Sequence, residues 1–188
     1  MINIPNLLSG YRIVIFPVLI SLVIFDKPDV FKWLVGLSFF TDLIDGYIAR
    51  KFNMETKEGS KLDSVGDMLT LFAAAIGFVV FENHFFKEHV FPITVAMGLY
   101  FFQLVVCLIK YRRISSFHTY SAKIAFVFTG SFFVITFFAG IIEWIFWLAI
   151  ILAILECLEE IIIVFLLPEP KQDVKSIFHV WKTLKKHG

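Results

Sequence analysis

The sequence predicts an all-α integral membrane protein, and three observations predict it. Apolar residues fill 59% of the 188 positions and include 24 phenylalanines, against roughly 45–50% apolar residues in an ordinary soluble domain. Mean hydropathy is +0.82. The apolar residues form continuous runs of the length that a bilayer core of ~30 Å demands of a helix, and the runs are separated by charge clusters. The surplus excludes a disordered chain, a disulfide-built scaffold and a water-soluble enzyme, because a core of this size cannot hide that much apolar surface from water. A membrane barrel would show short alternating segments instead. A net charge of +1 offers no basic surplus for nucleic acid. Cys107 and Cys157 lie inside apolar runs and read as small core hydrophobes.

Six spans are expected, at 7–25, 31–48, 62–81, 91–109, 122–141, and from 142 or 144 to 167. The first contains Arg12 and Pro17 with no small-residue cleavage site behind it, so it reads as a retained helix rather than a signal peptide. The second and third are joined by a polar loop. Gly140 and Glu143 mark a very short turn between the last two spans, which should therefore be antiparallel neighbours. Residues 1–168 form the membrane domain. After Pro168, Val174, Ile177, Phe178, Trp181 and Leu184 recur three and four apart among five lysines, so 169–188 read as an amphipathic helix lying on anionic lipid; a solvated tail is the simpler alternative. Trp33, Trp144, Trp147 and Trp181 suit interfacial belts.

Lysines and arginines set the orientation. Arg12, Arg50, Lys51, Lys57, Lys61, Lys110, Arg112, Arg113, Lys123, Lys171, Lys175, Lys182, Lys185 and Lys186 fall on one side of the six spans, and Lys27, Lys32 and Lys87 on the other. The positive-inside rule places both termini, and the loops after spans two and four, in the cytoplasm.

Four aspartates sit where carboxylates are expensive. Asp42 and Asp45 are three apart and Asp63 and Asp67 four apart, so each pair shares a helix face. Counting ~1.5 Å per residue from Arg50 puts Asp42 roughly 12 Å below the charged boundary. An ionised carboxylate facing hydrocarbon costs at least ~2.5 kcal/mol, and four together would protonate unless cations neutralise them. An all-oxygen set with no interleaved His or Cys favours Mg²⁺, Mn²⁺ or Ca²⁺. Two dications would bring four carboxylates to neutrality and attract an anionic substrate. Gly46 and Ala49 follow Asp42 on its helix, and Gly59 and Gly66 flank Asp63, which leaves a wall bare of side chains beside the acids; close helix packing would use the same small residues. Arg50 at the rim offers a planar fork suited to phosphate, or serves as a positive-inside anchor.

Asp42, Asp45, Gly46, Ala49, Arg50, Gly59, Asp63 and Asp67 spell a pattern that resembles the CDP-alcohol phosphotransferase family, membrane enzymes of phospholipid synthesis. The motif covers 26 residues, and the six-span architecture extends the resemblance over nearly the whole chain. The resemblance implies a two-metal phosphoryl transfer, with Mg²⁺ or Mn²⁺, from CDP-diacylglycerol to a small alcohol, releasing CMP into a cytoplasm-facing site. Asp42, Asp45, Asp63 and Asp67 would hold metal and Asp67 would also be the base. Gly46, Ala49 and Gly59 would clear space for the nucleotide, and Arg50 would hold a phosphate. A homodimer is compatible with the family.

Asn3-Ile4-Pro5-Asn6-Leu7-Leu8-Ser9 followed by Arg12 resembles the opening of phosphatidylglycerophosphate synthases, which implies glycerol 3-phosphate as acceptor. Ser64 and Gly66-Asp67-Met68 depart from that subgroup's pattern, so inositol phosphate, inositol and serine remain alternatives. Lys110, Arg112, Arg113, His118 and Lys123 could bind an acceptor phosphate or simply set topology; Arg112, Arg113 and Lys123 are the acceptor candidates. Glu156, Glu159 and Glu160 are a second intramembrane anomaly, expected to pair with a buried Arg or Lys or to sit at a subunit contact. A divalent-cation transporter would also bury acids, but Arg50 would repel its ion.

Overall fold

The computed structural model describes residues 4–52, 56–112 and 119–167, with residues 174, 176, 177, 180 and 181; the side chains at 4, 50, 57, 58 and 60 fall outside that description. The regular elements among the described residues are helices: α1 Ile4–Ile24, α2 Pro28–Lys51, α3 Lys57–Phe81, α4 Asn83–Glu88, α5 Val90–Tyr111, α6 Tyr120–Ala139 and α7 Glu143–Leu166. The six apolar runs fall on the six long helices. Four of these, over Pro5–Ile24, Lys61–Phe81, Val90–Tyr111 and Tyr120–Ala139, are long and apolar enough to cross a bilayer. Helices α2 and α7 match them in length but carry acids within.

Burial runs opposite to that of a soluble protein. Val14, Ile24, Phe91 and Ile109 are each more than 70% exposed, while Ser9, Arg12, Ser38, Asp45, Thr70, Gln103 and Glu160 are buried. Apolar surface on that scale is stable only against lipid, and backbone that meets lipid must satisfy its own hydrogen bonds, as helices do. The protein is an integral membrane protein.

Two compact units make up the chain, Met1–Glu88 with Phe133–Gly140, and His89–Phe132 with Ile141–Gly188. In the first, α1 packs on α2 and α3, and α2 on α3. Contacts fix the directions. Phe16 meets the ring of Phe72 and Arg12 lies beside Gly66, so α1 and α3 run parallel. Phe31 at the start of α2 meets Phe81 at the end of α3, so α2 runs against them. Pro28 starts α2 with its fixed φ and its missing N–H. Asp29, in the first turn, accepts from Lys32 Nζ at 2.7 Å, and that ammonium holds the Asp29 carboxyl below its ordinary value. Thr56 caps α3 by accepting from Gly59 N at 2.9 Å.

Phe31 is fully buried, wedged edge-on between Phe81 and Phe137 at 5.3 Å each, and Gly77 makes the room. A Cβ at Gly77 would collide with the Phe31 ring, which has nowhere to go. Gly77→Ala is therefore expected to destabilise the protein by ~1–3 kcal/mol, the usual cost of overpacking, read as a lower melting temperature in detergent.

In the second unit α5 packs on α7. His89 meets Phe146, Gln103 meets Glu160 and Tyr111 meets Leu167, so the two are parallel. Ser121 reaches Glu159 and Phe132 reaches Phe146, which makes α6 and α7 antiparallel neighbours, as the short turn implied. Gly140 supplies that turn at φ +88°, a conformation that favours glycine.

The carbonyls at the end of α7, which have no partner within the helix, are satisfied from α5. Lys110 Nζ donates to Val164 O at 2.8 Å and to Phe165 O at 3.3 Å. The Tyr111 hydroxyl lies 3.1 Å from Val164 O and 2.9 Å from Leu167 O. This corrects the expectation that Lys110 is available to an acceptor phosphate: it is engaged at a helix end, where a cation complements the dipole.

Five residues of the tail are described, at 174, 176, 177, 180 and 181. Val174 and Val180 are buried against Cys107, Ile163, Val164 and Leu167, with Ile177 packed on the same cluster. Trp181 is exposed. Phe178 and Leu184 lie outside the described residues.

Candidate active site

The site begins with three residues of α1. Pro5, Ser9 and Arg12 recur four and three apart, so they share the face that α1 turns toward α2 and α3. The Ser9 hydroxyl lies 3.2 Å from Pro5 O and 3.3 Å from Asp45 Oδ2. One turn on, Arg12 is 1% exposed and its guanidinium meets all four aspartates. Nη2 donates to Asp45 Oδ2 at 2.9 Å and to Asp63 Oδ1 at 2.7 Å. Nη1 donates to Asp42 Oδ1 and lies 2.9 Å from Asp67 Oδ1. That last contact is an ion pair without hydrogen-bond alignment, since Asp67 Oδ1 has no hydrogen-bond partner among the described residues.

The two acidic pairs expected to face each other across the α2–α3 hairpin therefore do so, around a buried cation. The quartet is graded in depth. Asp45 is buried, Asp42 and Asp67 are partly covered, and the Asp63 side chain is 41% exposed at the rim. Asp42, Asp63 and Asp67 each bring one carboxylate oxygen within 4.8 Å of the other two. Three anionic oxygens at that spacing fit a hard divalent cation such as Mg²⁺ or Mn²⁺. Asp45 stands outside that set, held by Ser9 and Arg12.

Arg12 has a role beyond that of a topology marker: the structure buries it among the four acids. Its signal was legible: a charge inside an apolar run marks a functional position by default. The bare wall also needs correcting at two glycines. A Cβ on Gly66 would lie 3.0 Å from Arg12 Nε and 3.3 Å from Ser9 O, and one on Gly59 would meet Asn6 Oδ1 and Thr56 Oγ1. Helix α1 fills the space that both glycines leave. Gly46 and Ala49 lie on α2 beyond the acids, each partly buried, and the side chain of Arg50 is outside the described residues.

The family model described as CDP-alcohol phosphatidyltransferase matches residues 2–155. The chain belongs to the CDP-alcohol phosphatidyltransferase family. It is 34% identical over 88 residues to a CDP-diacylglycerol–glycerol-3-phosphate 3-phosphatidyltransferase of Salmonella choleraesuis, covering 44% of this chain and 46% of that protein. It is 31% identical over 91 residues to the protein of the same name from Aquifex aeolicus, covering 48% and 49%. It is 35% identical over 81 residues to a cardiolipin synthase (CMP-forming)/mitochondrial hydrolase fusion protein of Schizosaccharomyces pombe, covering 43% and 14%. The chain thus spans about half the length, or less, of these curated relatives. No solved structure matches it.

The acceptor candidates of this phosphatidyltransferase-family chain belong to its second unit. Arg112 ends α5 at φ +54° and is exposed. Lys123 is exposed in the first turn of α6, its N–H on Thr119 O at 3.2 Å. Arg113 and His118 lie outside the described residues. Thr119 and Ser121 do structural work: Thr119 Oγ1 caps α6 by accepting from Ala122 N at 3.1 Å, and Ser121 Oγ donates to Glu159 Oε2. Glu156, Glu159 and Glu160 of α7 each meet a neutral group. Glu159 Oε1 accepts from Ile177 N at 2.9 Å, Glu160 accepts from the Gln103 amide, and Glu156 lies 3.4 Å from the Cys157 thiol.

Proposed function

We propose that this chain transfers a phosphatidyl group from CDP-diacylglycerol to glycerol 3-phosphate and releases CMP. The observation that carries the reading is the oxygen triad of Asp42, Asp63 and Asp67, set at the family motif's positions. Relatives named for the glycerol 3-phosphate reaction support the acceptor. In this reading α2 and α7 also span the bilayer, both termini and the acids lie on the cytoplasmic side, and the chain pairs as a homodimer. The acids inside α2 and α7 are compatible with spanning because Asp45 and Glu160 are buried in protein.

Asp42, Asp63 and Asp67 would hold Mg²⁺ or Mn²⁺, with Asp45 completing the acidic wall; two dications are proposed. Bound there, they would supply Lewis-acid stabilisation of charge on the diphosphate. The rest falls to side chains. Asp67 takes the proton from the acceptor hydroxyl as its oxygen bonds to the phosphatidyl phosphorus. The bond from that phosphorus to the bridging oxygen breaks, and its electron pair leaves with CMP. Gly46 and Ala49 keep α2 low beside the nucleotide, and Arg50 pairs with a phosphate. Arg112, Arg113 and Lys123 bind the acceptor phosphate, which needs cationic donors.

An acceptor panel tests the reading. Purified protein with Mg²⁺ and CDP-diacylglycerol is given glycerol 3-phosphate, inositol 1-phosphate, inositol or serine, and CMP and the lipid product are measured. CMP release with glycerol 3-phosphate, yielding phosphatidylglycerophosphate, is the expected result. Turnover with serine alone would overturn the basic acceptor site, and no CMP with any alcohol would overturn the reaction.

A further inference from the structure

Arg12 does what a metal would do. Its two terminal nitrogens contact Asp42 Oδ1, Asp45 Oδ2, Asp63 Oδ1 and Asp67 Oδ1, one oxygen from each acid. Three of those acids are the ones whose oxygens cluster closely enough for a dication. A carboxylate lone pair that accepts a guanidinium N–H is not free for a metal. A dication placed beside a buried guanidinium would also be repelled, with little screening to relieve it.

We propose that Arg12 is the site's exchangeable counter-ion: it competes with divalent metal for the carboxylates, and loading the site moves it off Asp42, Asp63 and Asp67. The inference rests on the reading of those three acids as a metal site.

Two features make the exchange mechanical. Arg12 is 1% exposed, yet its Nε has no hydrogen-bond partner among the described residues, so among them the side chain is fastened at its tip and not along its stem. Gly66 leaves the space beside Nε where a Cβ would stand at 3.0 Å. Asp45 is the post on which the guanidinium remains. It is 2% exposed, bonded to Nη2 at 2.9 Å, and lies beside the Ser9 hydroxyl. With Arg12 among them the four carboxylates sum to minus three. Two dications then carry the site to plus one, the sign an incoming diphosphate requires.

The test is Mn²⁺ binding, followed by electron paramagnetic resonance, on wild-type, Arg12→Gln and Arg12→Lys proteins in nanodiscs, with melting temperatures taken with and without Mn²⁺. Arg12→Gln should bind Mn²⁺ about tenfold more tightly, a change of ~1.4 kcal/mol, and its melting temperature should depend more steeply on Mn²⁺ than that of wild type. Arg12→Lys should fall between them, because an ammonium cannot span all four acids. Should Arg12→Gln fail to fold, ¹⁵N resonances of the wild-type Arg12 guanidinium, assigned by their loss in Arg12→Lys, decide the matter. They should shift as Mg²⁺ is added. Wild type that binds Mn²⁺ while Arg12→Gln binds it no more tightly, or a guanidinium resonance unmoved by Mg²⁺, would overturn the exchange alone. Wild type that binds no Mn²⁺ would overturn the metal site itself.

Discussion

Asp67→Asn is expected to lower CMP release by about 10²- to 10⁴-fold, the usual contribution of a positioned general base, while the protein stays folded. Asparagine keeps the shape of the side chain and loses the proton-accepting charge. Fold retention follows from the way Arg12 is held: Asp67 is one of four contacts, and Asp42, Asp45 and Asp63 each keep a hydrogen bond to the guanidinium. Because Asp67 also belongs to the oxygen triad, turnover should be measured at saturating Mn²⁺, with binding followed in parallel. A loss that persists when the metal is bound assigns the defect to proton transfer. Full turnover in this variant would refute Asp67 as the base.

Chelation is expected to silence the protein without unfolding it. Charge stabilisation by bound cations is worth several kcal/mol in reactions of this class, so excess EDTA should cost at least ~10³-fold in CMP release, at ~1.4 kcal/mol per decade. Mg²⁺ or Mn²⁺ should restore it. The persistence of the fold has a specific cause. Four carboxylates without a cation would repel one another in a poorly solvated pocket, but Arg12 bridges all of them, so near-ultraviolet circular dichroism should change little. Turnover that survives excess chelator would overturn the metal dependence.

Much of the fold was legible because bilayer physics acts on length and composition. The six apolar runs are six long helices, four of them long and apolar enough to cross a bilayer, and Gly140 with Glu143 marked a turn that the structure contains. The acids were legible for a related reason: spacings of three and four place Asp42 with Asp45, and Asp63 with Asp67, on single faces whatever surrounds them. Arg12, Gly59, Gly66 and Lys110 were read incompletely for the opposite reason. Each side chain or gap is explained by a partner distant in sequence: Arg12 by acids on α2 and α3, Gly66 and Gly59 by α1, and Lys110 by the last carbonyls of α7.

By itself, then, the sequence determined that this is a helical membrane protein with two acidic faces near one end of a hairpin, since hydropathy and helical period are local properties of the chain. Only the tertiary structure decided what stands between those faces. Helix α1 packs parallel to α3, Gly66 lets it approach, and Arg12 is carried into the acids, where burial makes its charge a necessity and not an ornament. A periodic pattern states which side chains share a face, but the neighbour they face is chosen by packing.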